Sequence, residues 1–459
     1  MASNITNLTP AEIAAMTTAQ IAALTAADWQ AFSVDQISAL TAEQITVIPA
    51  QRVSVLSAVQ VAAFEPTDFA TMTTAQLRSI STGAVAGLVS SDLDALSAVQ
   101  LNAISSNQLR MLATTEVAGL AAQTVANLSN AQVSGLTTQQ VDSLGASQLQ
   151  ALSTTQVRAL NTQQVANLAT EDLTALSLDQ FTALSSRQLA QLGSSQVAAL
   201  NDASIVGLAT QQLRSLNTAA VSALTDTALE GLATHQLAAL TTAQVRAIGT
   251  DTVADLDAAV VANLTSTQVS ALTTAQVAAL GTDQLEVLSP SQLLRLDSAQ
   301  MQALSVDQLN SLGTAQFQAL TSRQIGALGS EQLVNLASED LRALSSTQLR
   351  GLGTAALAAL DSTDLALLTS GQLAGLTTVQ LRALESNDLP GIGTDVLGAL
   401  SGAQIGALTS GQLSALTDAQ WQSLGSAQLR GLGSAQLQSL GTETLNLLTT
   451  DQFQALSSA

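Results

Sequence analysis

The sequence predicts an all-α solenoid made of very short helices, one for each eight-residue repeat. Two observations carry the prediction: an apolar pattern that never shifts register, and a helix-start signal that recurs at the same place. Counted from the first residue, the octad runs 57 times, from residue 1 to residue 456, without an insertion or a deletion. Loops tolerate length changes cheaply, so every residue of the octad is expected to be structurally committed.

The apolar residues lie at the fifth and eighth positions of each octad. The fifth position, from Ile5 to Phe453, and the eighth, from Leu8 to Leu456, hold a large apolar residue in all 57 octads. Steps of three and five residues rotate a helix by about 300° and then about 500°, so the apolar stripe of one long helix would wander. In a flat strand, odd spacings alternate between faces. The helix must therefore stop and restart once per octad.

The restart signal lies at the first and fourth positions. The first position holds one of the preferred N-cap residues, Ser, Thr, Asp, Asn or Gly, in 46 octads. The fourth is Gln, Asp or Glu in 45 octads, and 36 of these are Gln. This is a capping box, and the flanking apolar residues form a hydrophobic staple. In LTTAQVAAL, Leu272 and Val277 are expected to pack across Thr273 and Gln276.

Charge placement supports the same helix boundaries. Of the 34 acidic residues, 29 lie at the first four positions, and ten of the 13 arginines lie at the sixth or seventh. Acids near a helix N-terminus and bases near its C-terminus are favoured by the helix dipole. Each octad is thus predicted to form a helix of about one and a half to two turns, well below the length that is stable alone.

Such helices must stack, and we predict two octads per coil around a thin Leu/Val seam. Small residues at the seventh position, such as Ala279 and Gly351, would let neighbouring helices approach closely. The alternative fold is a β-solenoid with octapeptide rungs, which Thr, Val and Gly suit. Abundant Gln and Ala and the asymmetry of charge favour helices.

Residues 1–72 differ in composition from the regular octads of residues 73–459. They hold three of the five prolines and half of the eight large aromatic residues, although the register is unbroken. These divergent repeats are interpreted as a terminal cap over the seam, or as an assembly surface. The rest is predicted to be one continuous repeat domain.

Composition leaves little for catalysis. The chain has no Cys, Lys or Tyr, and His235 is its one histidine. The usual nucleophiles and bases cannot be assembled, so we predict no enzyme and no catalytic, cofactor-binding or metal-binding residue. The densest acidic cluster, Asp251, Asp255 and Asp257, matches no calcium loop. Glycines at the cap position, such as Gly281, are expected to serve the turn rather than to hold phosphate.

Partners are constrained by charge and hydropathy. A net charge of −21 disfavours nucleic acid and anionic membrane surfaces. No apolar run approaches the length of a membrane span, and the N-terminus MASNITNLTPAEI has no cleaved signal pattern. The expected partner is another copy of the chain, head to tail or side by side, with contact to a cell surface as a further option.

The recurring phrase Leu-Ser/Thr-x-x-Gln-Val/Leu-x-Ala-Leu resembles the ALTTAQVAAL tracts of large secreted or surface proteins of Gram-negative bacteria, and this resemblance covers all 57 octads. Many of those proteins resemble adhesins that are exported without a cleaved signal. The resemblance implies extracellular or cell-surface deployment in a stalk, filament or adhesive role. This chain lacks calcium-binding nonapeptide repeats and a separate adhesive domain.

The function predicted from these observations is structural. We expect a non-enzymatic extracellular repeat protein that assembles into a filament, fibre or surface layer through the ends or faces of its solenoid. The alternative is a scaffold that binds a partner on its curved face, or an adhesin stalk.

Overall fold

The computed structural model describes residues 5–456, and every regular element in that range is helical. The range contains 54 α-helices of four to seven residues and three 3-10 helices, and no strand occurs in it. The predicted all-α fold with one short helix per octad is confirmed. The β-solenoid alternative is wrong for the residues described.

The chain divides into two compact units between Gly231 and Leu232. The 3-10 helices are Ile5–Asn7, Ala84–Gly87 and Leu389–Gly391. The α-helices of the first unit are Pro10–Ala14, Thr18–Ala23, Ala26–Ala31, Val34–Ser38, Ala42–Thr46, Ala50–Val53, Ala58–Val61, Pro66–Thr71, Thr74–Ser79, Ser90–Asp94, Ala98–Leu101, Ser106–Leu109, Thr114–Gly119, Ala122–Ala126, Asn130–Gly135, Thr138–Asp142, Ala146–Ala151, Thr154–Ala159, Thr162–Ala166, Thr170–Ala175, Leu178–Thr182, Ser186–Leu189, Ser194–Ala198, Asp202–Val206, Thr210–Ser215, Thr218–Val221 and Asp226–Glu230.

The α-helices of the second unit keep the same register. They are Thr234–Leu237, Thr242–Ala247, Thr250–Asp255, Ala258–Ala262, Ser266–Ala271, Thr274–Ala279, Thr282–Glu286, Pro290–Leu293, Ser298–Ala303, Val306–Asn310, Thr314–Ala319, Ser322–Ile325, Ser330–Val334, Ser338–Ala343, Ser346–Arg350, Thr354–Ala358, Ser362–Leu367, Ser370–Gly375, Thr378–Ala383, Thr394–Gly398, Gly402–Ile405, Ser410–Ser414, Asp418–Ser423, Ser426–Leu429, Ser434–Gln438, Thr442–Leu447 and Thr450–Leu456. The unit boundary does not fall at the compositional change after residue 72, and the predicted distinction between residues 1–72 and 73–459 stays a prediction.

Many links between helices consist of two extended residues, whereas in others the first residue after the helix, such as Ala15 at φ −83° and ψ −7°, keeps helical angles. Thr273 has φ −72° and ψ 160°, the helix Thr274–Ala279 follows, and Leu280 returns to φ −60° and ψ 137°. No described residue has a positive φ. Glycine is therefore not required by the turn: Gly281 is an N-cap at φ −68° and ψ 159°, which any residue can adopt, and the predicted turn role is wrong.

Three octads, rather than the predicted two, complete one coil. Each helix packs against the helices three octads before and after it, as Thr274–Ala279 does with Thr250–Asp255 and Ser298–Ala303. A two-helix coil needs the chain to reverse at every link, commonly with a left-handed residue after the helix. Two extended residues bend the chain without reversing it, so a third helix is needed to close the coil.

The fifth and eighth positions form the core, as predicted. Val277 and Leu280 are buried, and the same two positions are buried in nearly all coils of both units. Burying an aliphatic side chain contributes about 1.5–3 kcal/mol, so each octad supplies two such contributions to the stack. The divergent N-terminal repeats follow the same plan with larger residues, and the rings of Trp29 and Phe32 stack at 4.8 Å.

Candidate functional site

The residues that the sequence singled out for chemistry are not brought together. His235 and the acids Asp251, Asp255 and Asp257 lie exposed on the second unit. Within residues 5–456 no group of three or more His, Asp or Glu side chains is placed to hold a metal ion. No helix in the same range is long and apolar enough to cross a membrane.

The most elaborate polar arrangement is a ladder of buried glutamines at the fourth position. The Oε1 atom of Gln276 accepts the backbone N–H of Thr273 at 2.8 Å, and the backbone N–H of Gln276 donates to Thr273 Oγ1 at 3.1 Å. These two bonds confirm the predicted capping box. The side chain of Gln276 is nevertheless only 1% exposed, which capping alone does not require.

The buried end of each glutamine joins one coil to the next. Gln276 Nε2 donates to the carbonyl oxygens of Val245 at 3.0 Å and Ile248 at 2.8 Å, which lie 31 and 28 residues earlier. Both carbonyls lie at the C-terminal end of the helix Thr242–Ala247, where Val245 O also accepts the backbone N–H of the C-cap Ile248 at 3.3 Å. One amide therefore caps the N-terminus of its own helix and binds two carbonyls at the C-terminal end of another.

The same bonds recur along both units. Gln140 donates to Leu109 and Leu112, Gln348 donates to Phe317 and Leu320, and every donor–acceptor distance lies between 2.8 and 3.0 Å. We call the glutamines at the fourth octad position that make these bonds, such as Gln140, Gln276 and Gln348, the Gln ladder. Where glycine replaces the Ser or Thr at the N-cap, the Gln side chain still accepts the backbone N–H of the N-cap residue. The N–H of Gly313, for example, donates to Gln316 Oε1 at 2.7 Å.

Two exceptions in the sequence keep one of the two ladder bonds. Arg52 replaces Gln, and its Nε donates to Leu24 O at 3.1 Å, 28 residues earlier. Ala220 also replaces Gln, and here the N-cap Asn217 donates through Nδ2 to Leu192 O at 2.7 Å. Leu192 again lies 28 residues before Ala220. Different side chains thus reach the same eighth-position carbonyl, because an unsatisfied buried carbonyl is costly.

Where the N-cap residue is Ala, its backbone N–H can donate to a side chain of the preceding coil. The N–H of Ala337 donates to Asn310 Oδ1 at 2.9 Å, and that of Ala169 donates to Asp142 Oδ1 at 3.2 Å. Both acceptors occupy the sixth position and lie 27 residues earlier. The sixth position therefore caps helices of the next coil, a role that its variability in sequence did not suggest.

Arginines at the sixth position also link coils. The Nε atoms of Arg246 and Arg350 donate to the carbonyl oxygens of Ala271 and Gly375, both at 3.0 Å and both 25 residues later. The predicted placement of these arginines near helix C-termini is correct. Their partner is a carbonyl of the following coil, in addition to the dipole of their own helix.

Acids that replace Gln in the ladder are energetically unfavourable when charged. Burial, with a smaller contribution from neighbouring Glu339, raises the pKa of Asp340 to about 6. Burial raises the pKa of Asp172 to about 6 as well, followed by repulsion from Asp142 and Glu171. A carboxylate has no N–H to donate to the carbonyls that the ladder amide normally binds.

Replacing Asp340 with Asn tests this effect. Because the pKa in the folded protein lies above its ordinary value of 3.8, the native state binds the proton more tightly than the unfolded chain. The contribution of Asp340 to stability is present at low pH and is lost as the pH rises towards and past about 6. We expect the stability of Asp340→Asn relative to the natural chain to increase between about pH 4 and pH 7, in urea titrations followed by circular dichroism.

The control for this variant is Asp307→Asn, since Asp307 is exposed at the third position of a nearby octad. Because Asp307 is not buried, this variant measures the removal of one surface charge without the burial that Asp340 undergoes. If the stability difference of Asp340→Asn changed with pH no more than that of the control, the raised pKa of Asp340 would be contradicted.

Comparisons with known proteins identify the repeat but no function. The family model described as ALTTAQ repeat matches eight segments, of which the first six overlap: residues 245–282, 261–298, 277–314, 294–330, 307–338, 333–370, 381–418 and 422–458. This chain therefore contains a tract similar to that repeat in its second unit. No curated protein matches the chain.

Solved structures that match the chain include one described as the structure of APUM23-GGAAUUGACGG. It is 13% identical, the match covers 96% of each chain, and the TM-score is 0.19. Such a low score supports no argument about this chain. The solenoid assignment depends on the helices and the coil-to-coil contacts described above.

Proposed function

We propose that this chain is a non-enzymatic structural protein that associates with further copies of itself outside the cell, as a filament, fibre or surface layer. The observation that carries the proposal is the Gln ladder, because it joins coil to coil by identical bonds. Gln276 and Gln348 make the same contacts at separate places in the second unit. Each coil thus presents Gln amide donors on one face and carbonyl acceptors on the opposite face, in the same arrangement as other coils.

Extracellular deployment is part of the same proposal. The resemblance of the repeat phrase to tracts in bacterial surface proteins supports it. The chain also has no Cys, so an oxidising environment would neither form nor break disulfide bonds in it. Immunolabelling of intact cells that make the protein tests this element. Signal that appears only after permeabilisation would contradict it.

Electron microscopy and light scattering over a range of concentrations test self-association. We expect elongated assemblies whose length or width increases with protein concentration. Monodisperse particles of single-chain mass at the highest concentration would overturn the proposal. They would instead favour a solenoid scaffold that binds a different partner.

A further inference from the structure

A cleft on the second unit combines two arginines with exposed apolar surface. Leu294, Arg295 and Arg323 line a cavity of about 560 Å³, where the start of the helix Ser322–Ile325 faces the link that precedes Ser298–Ala303. These two helices pack against each other in consecutive coils. We call these three residues the arginine cleft.

The cations of the arginine cleft are available for a partner. Neither guanidinium forms an ion pair with a carboxylate of the described residues. Asp297 also lines the cavity, but one of its carboxylate oxygens accepts the backbone N–H of Gln300 at 2.9 Å and caps its own helix. Leu294 is 43% exposed beside the two arginines, which gives the cleft an apolar margin.

Opposite charge lies on one row of helices in the first unit. The helices Ala42–Thr46, Pro66–Thr71, Ser90–Asp94, Thr114–Gly119 and Thr138–Asp142 pack consecutively, one per coil. The octads that contain them carry acids and no basic residue. We call five acids of these helices the acidic row: Glu43, Glu65, Asp94 and Asp142, which are exposed, and Glu116, which is half-buried.

Two members of the acidic row, Glu65 and Glu116, repel other acids of the same helices. Burial is the main cause that raises the pKa of Asp92, and the charges of Glu116 and Glu65 raise it further. The pKa of Asp68, in the same row, is likewise raised by burial and by Glu65. A cationic surface placed against the row would reduce this repulsion.

We infer that the arginine cleft of one copy binds the acidic row of a second copy, an inference that depends on the proposed self-association. The occupant is a second copy because this chain supplies both complementary surfaces, on different units. Its overall charge of −21 repels other copies at long range. Opposite charges must therefore be concentrated where copies meet, and they then determine register and orientation.

Charge reversal with complementation tests the inference. The cleft variant carries Arg295→Glu and Arg323→Glu, and the row variant carries Glu43→Arg and Glu65→Arg. In analytical ultracentrifugation near physiological salt, each variant alone should self-associate about tenfold or more weakly than the natural chain. Mixed together, the two variants should associate again, because reversed charges face each other.

The control variant carries Arg382→Glu and Arg430→Glu, two exposed arginines outside the cleft, with the same change in net charge. It should associate as the natural chain does, apart from a small general effect of charge. All variants must keep the circular dichroism spectrum of the natural chain.

The outcomes separate this inference from the proposed function. If the natural chain associates and the cleft variant associates equally well, the cleft is not the contact, while self-association stands. If both variants are weakened but their mixture is not restored, the two surfaces do not bind each other, and the inference is overturned. If the natural chain does not associate at all, the proposed function fails, and this inference fails with it.

Discussion

Replacing Gln276 with Glu is expected to lower the free energy of unfolding by about 3–5 kcal/mol at neutral pH. The substitution keeps the size of the side chain and its acceptor for the N–H of Thr273. It removes both donors to Val245 O and Ile248 O, and it places a buried negative charge against those oxygens. A buried charge without a partner is among the most costly single changes.

Gln20→Glu is the matched control. Gln20 forms the same capping box, in which its Oε1 accepts the N–H of Thr17 at 2.8 Å, but its side chain is exposed. A charged Glu in an exposed capping box is expected to change the free energy of unfolding by about 0.5 kcal/mol or less. Both variants are compared with the natural chain by urea unfolding. Equal effects at the two positions would show that Gln276 acts as a cap alone.

The penalty at Gln276→Glu should depend on pH. Burial raises the pKa of the introduced carboxyl above that of Glu in the unfolded chain, and the protonated acid can donate to one carbonyl. The destabilisation should therefore be greatest above the raised pKa and decrease as the pH falls. The natural acids Asp172 and Asp340, at the same octad position with pKa values of about 6, are precedents.

The helix boundaries could be predicted from sequence because they depend on contacts within one octad. Thr273 and Gln276 are three residues apart, and their cap needs no other part of the chain. The burial of Val277 and Leu280 follows from the same period. Local hydrogen bonds and side-chain periodicity thus determine where each helix begins, where it ends and which face it buries.

The number of octads per coil could not be predicted in this way, because it depends on how far the chain bends at each link. That bend comes from the backbone angles of Leu280 and the residue that follows it, which the octad pattern does not encode. A coil of two octads would require the chain to reverse at each link. Without knowledge of the coil, carbonyls 28 and 31 residues away could not be assigned to Gln276.

One signal in the sequence did point to the ladder. Glu completes a capping box as well as Gln, yet the fourth position holds 36 Gln and only two Glu, namely Glu12 and Glu116. Such a preference for the amide means that a donor is needed in addition to an acceptor. The arginine cleft had no comparable signal, because Arg295 and Arg323 occupy different octad positions and meet only across coils.

Replacing Gly351 with Ala is expected to cost about 1–3 kcal/mol, although alanine is the better helix former. Gly351 follows the helix Ser346–Arg350, which packs on Ser322–Ile325 of the preceding coil. A Cβ atom at Gly351 would overlap the carbonyl oxygen of Ser322 and lie 2.9 Å from its carbonyl carbon. Both are backbone atoms, so the two coils must move apart to accept a methyl group.

The effect should be specific to this close approach. Gly371 lies in the helix Ser370–Gly375, which packs on the other side of Ser346–Arg350, and a Cβ there would meet no atom within 4 Å. Gly371→Ala should therefore stabilise the chain by up to about 1 kcal/mol through helix propensity. If backbone contact fixes the distance between coils, urea unfolding should show a lower free energy of unfolding for Gly351→Ala and a higher one for Gly371→Ala. A stabilised Gly351→Ala would mean that neighbouring coils separate at little cost, so that the ladder bonds alone would have to set their distance.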